Sequence, residues 1–166
     1  ELLMRRAAGW QPDFFRVESM RVITDELPNG EFTTEATVKV WVGPDGLDSP
    51  SAARHVFTAE GNGPVNALDA ALRKALRAFY PELDEVHLVD FKVRIIDGSA
   101  ATAARTRVVI DSTARGLTWS TMGSDENILG ASAAALIDSL EYAIWKAGAE
   151  VVRRDERSVS GAGTGR

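Results

Sequence analysis

The sequence predicts an α+β protein built from two pseudo-repeated βββα units, each an antiparallel sheet covered by one helix. Three observations carry this. Apolar and polar residues alternate in segments of strand length, two segments show the 3–4 spacing of an amphipathic helix, and the order strand, strand, strand, helix occurs twice within 166 residues. One helix covers only one face of a sheet, so the other face is expected to need a partner, either the second unit or a second copy in a homodimer.

The first unit is expected over residues 13–81. "FRVESMRVIT" predicts a strand over 15–24 and "TTEATVKVWV" a second over 33–42, joined as a hairpin by "LPNGE" with its Asn29-Gly30 pair. "ARHVFTAE" predicts the third strand, after a loop that begins at "GPDG". A helix is expected from about Pro64 to about Phe79, with Val65, Leu68, Leu72, Leu76 and Phe79 on its buried face. Pro64 suits the first helical turn, where a missing N–H costs nothing. Arg73, Lys74 and Arg77 stand towards the negative end of the helix dipole.

The second unit is expected over residues 82–150. "VHLVDFKVRII", "AARTRVVID" and "GLTWSTMG" predict three strands, with a turn at "DGSA". The helix "SDENILGASAAALIDSLEYAIWKAG" follows, with Leu129, Leu136, Leu140 and Ile144 on its apolar face. Ser124 is the expected N-cap, with Asp125 and Glu126 in the first turn. Aligned by residue, Met20-Arg21-Val22 matches Phe91-Lys92-Val93, Val38-Lys39-Val40 matches Thr106-Arg107-Val108, and Ala70-Ala71-Leu72 matches Ala134-Ala135-Leu136. Residues 1–12 are read as a leader or linker from a longer parent. Residues 151–166 are read as a disordered tail, small and glycine-rich at its end.

Composition narrows the function classes. With 45% hydrophobic residues the chain can bury a core, and a formal net charge of −5 argues against a duplex nucleic-acid binder, which needs a concentrated basic face. There is no cysteine, so disulfides and thiolate metal sites are excluded. No apolar run is read as long enough to span a bilayer and no signal peptide is visible, so a cytoplasmic protein without a membrane partner is expected. His55 and His87 lack the spacing of a metal pair, and neither has an evident Ser or Asp partner. Asp13, Asp25, Glu26, Asp45, Asp48, Asp84, Asp97 and Asp111 sit in or beside turns, where Asp is common for backbone reasons. Trp10, Trp41, Trp119 and Trp145 are expected in packing or interface roles. Arg105 and Arg107 alternate on one strand face and read as a solvated edge or an interface ion pair. No catalytic residue and no metal ligand is predicted.

One junction stands out. Gly61-Asn62-Gly63-Pro64 leads straight into the first helix, and the first N–H groups of a helix are unpaired and carry partial positive charge. A P-loop is excluded because no Gly-Lys-Ser/Thr follows, and a dinucleotide fingerprint fails because Asn66 stands where the third glycine belongs. An ordinary tight strand-to-helix turn explains the spacing equally well. Gly123-Ser124-Asp125-Glu126-Asn127 occupies the corresponding junction in the second half, and the two are expected to face one pocket if both serve.

"FFRVESMRVITDELPNGEFTTEATVKVWV", "EGNGPVNALDAALRKAL", "LVDFKVRIIDG", "TRVVID" and "ILGASAAALIDSLEYAI" together resemble the C-terminal regulatory domain of the 2-isopropylmalate synthase family, and within it the citramalate synthase branch. The resemblance runs from about Glu1 to Trp145 and includes the leader "ELLMRR". It implies a parent with a catalytic (β/α)8 barrel, an acyltransferase that condenses acetyl-CoA with a 2-oxo acid at a divalent metal. This chain holds neither the barrel nor its metal motif, so no cofactor is expected in it. The resemblance further implies a homodimer that binds an end-product amino acid, L-isoleucine or L-leucine, and passes feedback inhibition to the barrel.

The family's effector lies near the Gly-x-Gly-Pro turn and the dimer interface, which carries the role to Gly61, Asn62, Gly63 and Pro64. Free amides up to Val65 suit a carboxylate. Ala67, Leu72, Ala75, Phe79, Leu88 and Val89 are the expected wall around a branched side chain. A dimerisation module without an effector and a small independent anion-binding enzyme are the alternatives.

Overall fold

The structure, a computed structural model, describes residues 8–9, 14–43, 45–96 and 105–161, the stretch 149–161 as backbone only. Most of the leader, the "DGSA" turn and residues 162–166 lie outside the described residues.

Two three-stranded antiparallel sheets form, each followed by a helix. In the first, β1 (Phe15–Glu26) pairs β2 (Phe32–Val42), which pairs β3 (Ala53–Gly61); α1 (Pro64–Leu76) follows. A 3-10 turn (Pro81–Glu85) leads to the second sheet, β4 (His87–Ile96), β5 (Arg105–Ala114) and β6 (Leu117–Asp125), and then α2 (Ile128–Gly161). The two βββα units of the sequence reading are therefore present.

Local chemistry explains the boundaries. The first hairpin turns through residues 27–30, where Gly30 N–H donates to the Leu27 carbonyl at 2.8 Å and Gly30 takes a φ of 82°. Asn29 Oδ1 accepts the Glu31 N–H and closes the loop. The β5–β6 hairpin is a two-residue loop, Arg115-Gly116, both at positive φ (51° and 77°), the geometry that matches strand twist. α1 ends at Leu76, not at Phe79, because Tyr80 precedes Pro81 and is held extended at φ −130°. The Tyr80 hydroxyl then pins the chain by donating to the Phe14 carbonyl at 2.7 Å.

The N-cap of α2 is Asn127, not Ser124. Asn127 Oδ1 accepts the Leu129 N–H at 2.8 Å, and Asp125 Oδ1 accepts the Asn127 N–H at 2.7 Å. Ser124 and Asp125 are held in β6 opposite Arg107 and Thr106, which leaves Asn127 as the residue free to cap. At its other end α2 continues to Gly161, into the segment read as a disordered tail. "VVRRDERS" has no proline or glycine, so nothing in it stops a helix already formed.

The repeat is clearest in a shared irregularity. Each first strand carries a register shift at the same place, Val17/Ser19 in β1 and Leu88/Asp90 in β4. Met20 faces Val38 and Phe91 faces Ile110, so Val38 corresponds to Ile110 and the alignment with Thr106 is four residues out of register. Thr34 and Thr106 face Gly61 and Asp125, which makes Gly61-Asn62-Gly63-Pro64 equivalent to Asp125-Glu126-Asn127-Ile128.

α1 lies over β2 and β3, and α2 over β5 and β6. Ala36, Val38, Val40 and Val42 meet Leu68, Leu72 and Leu76; Val108 and Ile110 meet Leu136 and Leu140, with Leu83 and Val86 joining the two halves in one apolar cluster. The segment Ile128–Gly148 does reach the length and mean hydropathy (1.3) of a membrane-crossing helix, which the sequence reading did not find. Packing accounts for it, since 56% of that stretch is buried inside the protein.

The far faces carry Arg21, Glu35, Lys39 and Glu60 in one sheet and Asp90, Lys92, Arg94 and Arg107 in the other, broken by Ile23, Val56 and Met122. Bare apolar surface also lies on the helix side of the outer strands, where the helices do not reach: Met20 on β1, and Val93 and Ile95 on β4, Ile95 being 70% exposed.

Ion pairs on these surfaces give the fold an acid limit. Glu18 Oε1 and Oε2 accept from Arg54 Nη2 and Nε at 2.8 and 2.7 Å, which lowers its pKa from 4.5 to about 2. Glu85 beside Arg115 and Asp90 beside Lys92 are also lowered by their partners' hydrogen bonds. Carboxylates depressed in the folded state stabilise it fully above their ordinary values, and that contribution is lost as pH falls through the folded pKa. We expect stability in urea to decline between about pH 4.5 and 2. Glu18→Gln should flatten that decline, and an identical pH profile in the variant would refute the assignment.

Candidate functional site

A cleft of about 550 Å3 opens between the flank of α1 and the start of β4, lined by Val65, Asn66, Asp69, Arg73, Leu83, Asp84, Val86, His87, Leu88 and Phe91. It is a product of the repeat junction. Residues 65, 66, 69 and 73 project from one flank of α1, 3–4 apart, while the 3-10 turn swings Leu83, Asp84 and Val86 across to face them.

One side of the cleft is charged. Arg73 Nε donates to both Asp69 oxygens at 3.0 and 2.8 Å, and Arg73 Nη1 donates to the Leu83 and Val86 carbonyls at 2.9 and 2.7 Å. The Asp69 oxygens keep further lone pairs, and Asp84 also lines the cleft. Apolar residues come from both walls, Val65 from α1 and Leu83, Val86, Leu88 and Phe91 from the elements that face it. At its N-terminus α1 begins with no side-chain cap on Gly63 and with Pro64 in its first turn. The Asn62 N–H is held by Asn66 Oδ1 at 3.1 Å, and the Ala67 N–H by the Gly63 carbonyl at 2.9 Å. The amides of Val65 and Asn66 come between these two, in the first turn, where a helix leaves its N–H groups without an intrahelical partner. Such a cleft can hold a carboxylate at the helix start, a cation at the acids and an apolar group between them.

Against this geometry the expected residues divide. Val65 and Leu88 line the cleft. Gly61, Asn62, Gly63 and Pro64 form the turn that leads into α1, and none of them lines the cleft. Ala67, Leu72 and Ala75 do not reach it; they are buried beneath α1 against the sheet, because the core stripe of a helix and its flank are different faces. Phe79 lies beyond the helix and packs on His55, ring centroids 5.1 Å apart. Val89 sits at the register shift of β4, 57% exposed and off the lining. No residue of the second junction lines the cleft, so the two junctions do not share it. Asn66, Asp69, Arg73, Leu83, Asp84, Val86, His87 and Phe91 went unrecognised in the sequence, although Asp69 and Arg73 at i,i+4 were a readable signal.

The two glycines of the turn differ. A Cβ on Gly61 would run into the Ala67 backbone and Asn66 Oδ1, so Gly61 serves the close approach of α1 to β3, not of a ligand. A Cβ on Gly63 would meet nothing within 4 Å, and its φ of 168° is ordinary extended backbone. Among the described residues no group of three His, Asp or Glu side chains is placed to hold a metal ion.

Comparison with known proteins agrees with the family resemblance read from the sequence. The profile of the LeuA allosteric (dimerisation) domain matches residues 1–144. The chain belongs to this family. It is 46% identical over 149 residues to the (R)-citramalate synthase of Streptomyces coelicolor, a match covering 89% of this chain and 26% of that protein. It is 47% identical over 147 residues to the (R)-citramalate synthase of Geobacter sulfurreducens, covering 88% and 26%. The same enzyme from Synechocystis sp. is 44% identical over 148 residues, covering 87% and 26%. The chain thus spans about a quarter of the length of these curated relatives, and it is a regulatory and dimerisation domain of their family.

Proposed function

We propose that this domain senses an end-product amino acid, L-isoleucine or L-leucine, as a homodimer, and gives feedback inhibition of a parent citramalate or 2-isopropylmalate synthase. The observation that carries the reading is the mixed lining of the cleft. Its apolar residues suit a branched side chain, Asp69 and Asp84 suit an ammonium group, and the Val65 and Asn66 amides suit a carboxylate. Within that reading the parent's barrel, with its metal and acetyl-CoA, does the chemistry and this domain only biases it. Typical coupling in such regulation is about 1–3 kcal/mol. The homodimer follows the family's description, and the bare helix-side residues Met20 on β1 and Val93 and Ile95 on β4 offer apolar surface for it.

Isothermal titration of the chain with L-isoleucine, then L-leucine, with L-valine as control, tests this. Saturable heat from one of them is expected, and Gly63→Leu should abolish it with an unchanged melting temperature, since position 63 is open. Asp84→Asn should weaken the same binding roughly tenfold, by removing one charge-assisted contact. No heat and no thermal shift with any of the three would leave dimerisation as the domain's only role.

A further inference from the structure

The cleft has one wall from each repeat. Val65, Asn66, Asp69 and Arg73 belong to α1 of the first unit; His87, Leu88 and Phe91 belong to β4 of the second, and Leu83, Asp84 and Val86 to the connection between them. No strand of one sheet pairs with the other, and contact between the units runs chiefly through α1, α2 and the 3-10 turn. Cleft width is therefore set by whatever fixes α1 to that turn.

One side chain does so. The Arg73 guanidinium is bonded on its Nε edge to the Asp69 carboxylate, a residue of its own helix, and through Nη1 to two carbonyls of the connection, Leu83 and Val86. Its side chain is 22% exposed and Asp69's 17%, so the cluster is partly withdrawn from water. Asp69 orients the guanidinium plane, and the plane then fixes where Leu83 and Val86 stand. A lysine keeps the charge but has no planar fork to span a carboxylate and two carbonyls at once.

We propose that Arg73 is the positioning residue of the cleft, holding the α1 wall at a fixed distance from the β4 wall, so that a bound amino acid and the Arg73 tie report on the same joint. This rests on the amino-acid reading above. A ligand spanning the walls strengthens what Arg73 already holds, and the orientation of the two repeats becomes the quantity it changes.

The test compares the parent chain with Arg73→Lys and Arg73→Met, by amide hydrogen exchange without ligand and by titration with L-isoleucine and L-leucine. Arg73→Met should raise exchange at the Leu83 and Val86 amides at least tenfold while β2 and β5 keep their protection. It should weaken amino-acid binding at least tenfold, with Arg73→Lys between it and the parent. Faster exchange with unchanged affinity would reduce Arg73 to a structural tie and overturn the proposal, as would unchanged exchange in both variants. Loss of protection throughout the Met variant would make the Lys variant decisive on the same two readouts. A parent chain that binds neither amino acid sinks the sensing reading itself, and this inference with it.

Discussion

Gly123→Ala is expected to destabilise the protein by about 3 kcal/mol through a single added methyl group. A Cβ on Gly123 would be driven into the Ala131 carbonyl, and the Ala134 methyl lies 3.0 Å away on its other side. Both obstacles belong to the first turns of α2, which can retreat only by giving up contact between Leu136, Val108 and Ile110. Gly61→Ala should behave similarly, because its Cβ meets the backbone of Ala67. The register makes the comparison sharper: Gly61 corresponds to Asp125, and Gly123 to Ala59, so each repeat admits its helix over a glycine at a different position. Gly63→Ala should be close to neutral for stability, with open space around it. Urea denaturation followed by helical circular dichroism checks all three, the expected result being lower midpoints for positions 61 and 123 only. A midpoint for Gly123→Ala within experimental error of the parent would mean that α2 does not sit this close to β6.

The same contrast shows what the sequence could and could not convey. Alternation in β2 is regular because Ala36, Val38, Val40 and Val42 all face the core, so its strand and its face are legible at once. In β5 the core face includes Thr106 and Ser112, and Ser112 is buried because Ser139 bonds it at 2.8 Å. A polar residue satisfied by a distant helix breaks the local pattern, and matching by residue type then slips to the wrong register. "SDEN" offers three capping side chains within four residues, and only strand pairing from β6 decides among them. The cleft was half visible. Val65 and Leu88 were among the residues singled out, whereas the rest of its walls depends on a 3-10 turn that brings Leu83 and Val86 back against the flank of α1. Apolar spacing points to the helix stripe that builds the core, and the cleft uses the neighbouring stripe, where Asp69 and Arg73 look like a solvent-facing pair until the connection folds over them.

Leu72→Ala and Leu136→Ala should each cost about 2–5 kcal/mol, towards the upper part of that range. The two leucines occupy the same position of their helices, counted from Pro64 and Ile128, and are 1% and 2% exposed. Their surroundings explain the high cost. Ala67, Ala71 and Ala75 on α1, and Ala131 and Ala135 on α2, bring each helix close to its sheet, so few long side chains are present to swing into the space a leucine leaves. What the pair tests beyond stability is whether the repeats unfold together. Leu83 and Val86 carry the apolar cluster from one unit to the other, so both variants should shift one common transition without changing its steepness. Two separate transitions in Leu72→Ala, one near the parent midpoint, would show that each repeat holds itself together. The distinction decides how a signal can travel. Repeats that melt independently can report a ligand by local unfolding, whereas repeats sharing one core can report it only by moving as rigid bodies about the joint where Arg73 meets Leu83 and Val86.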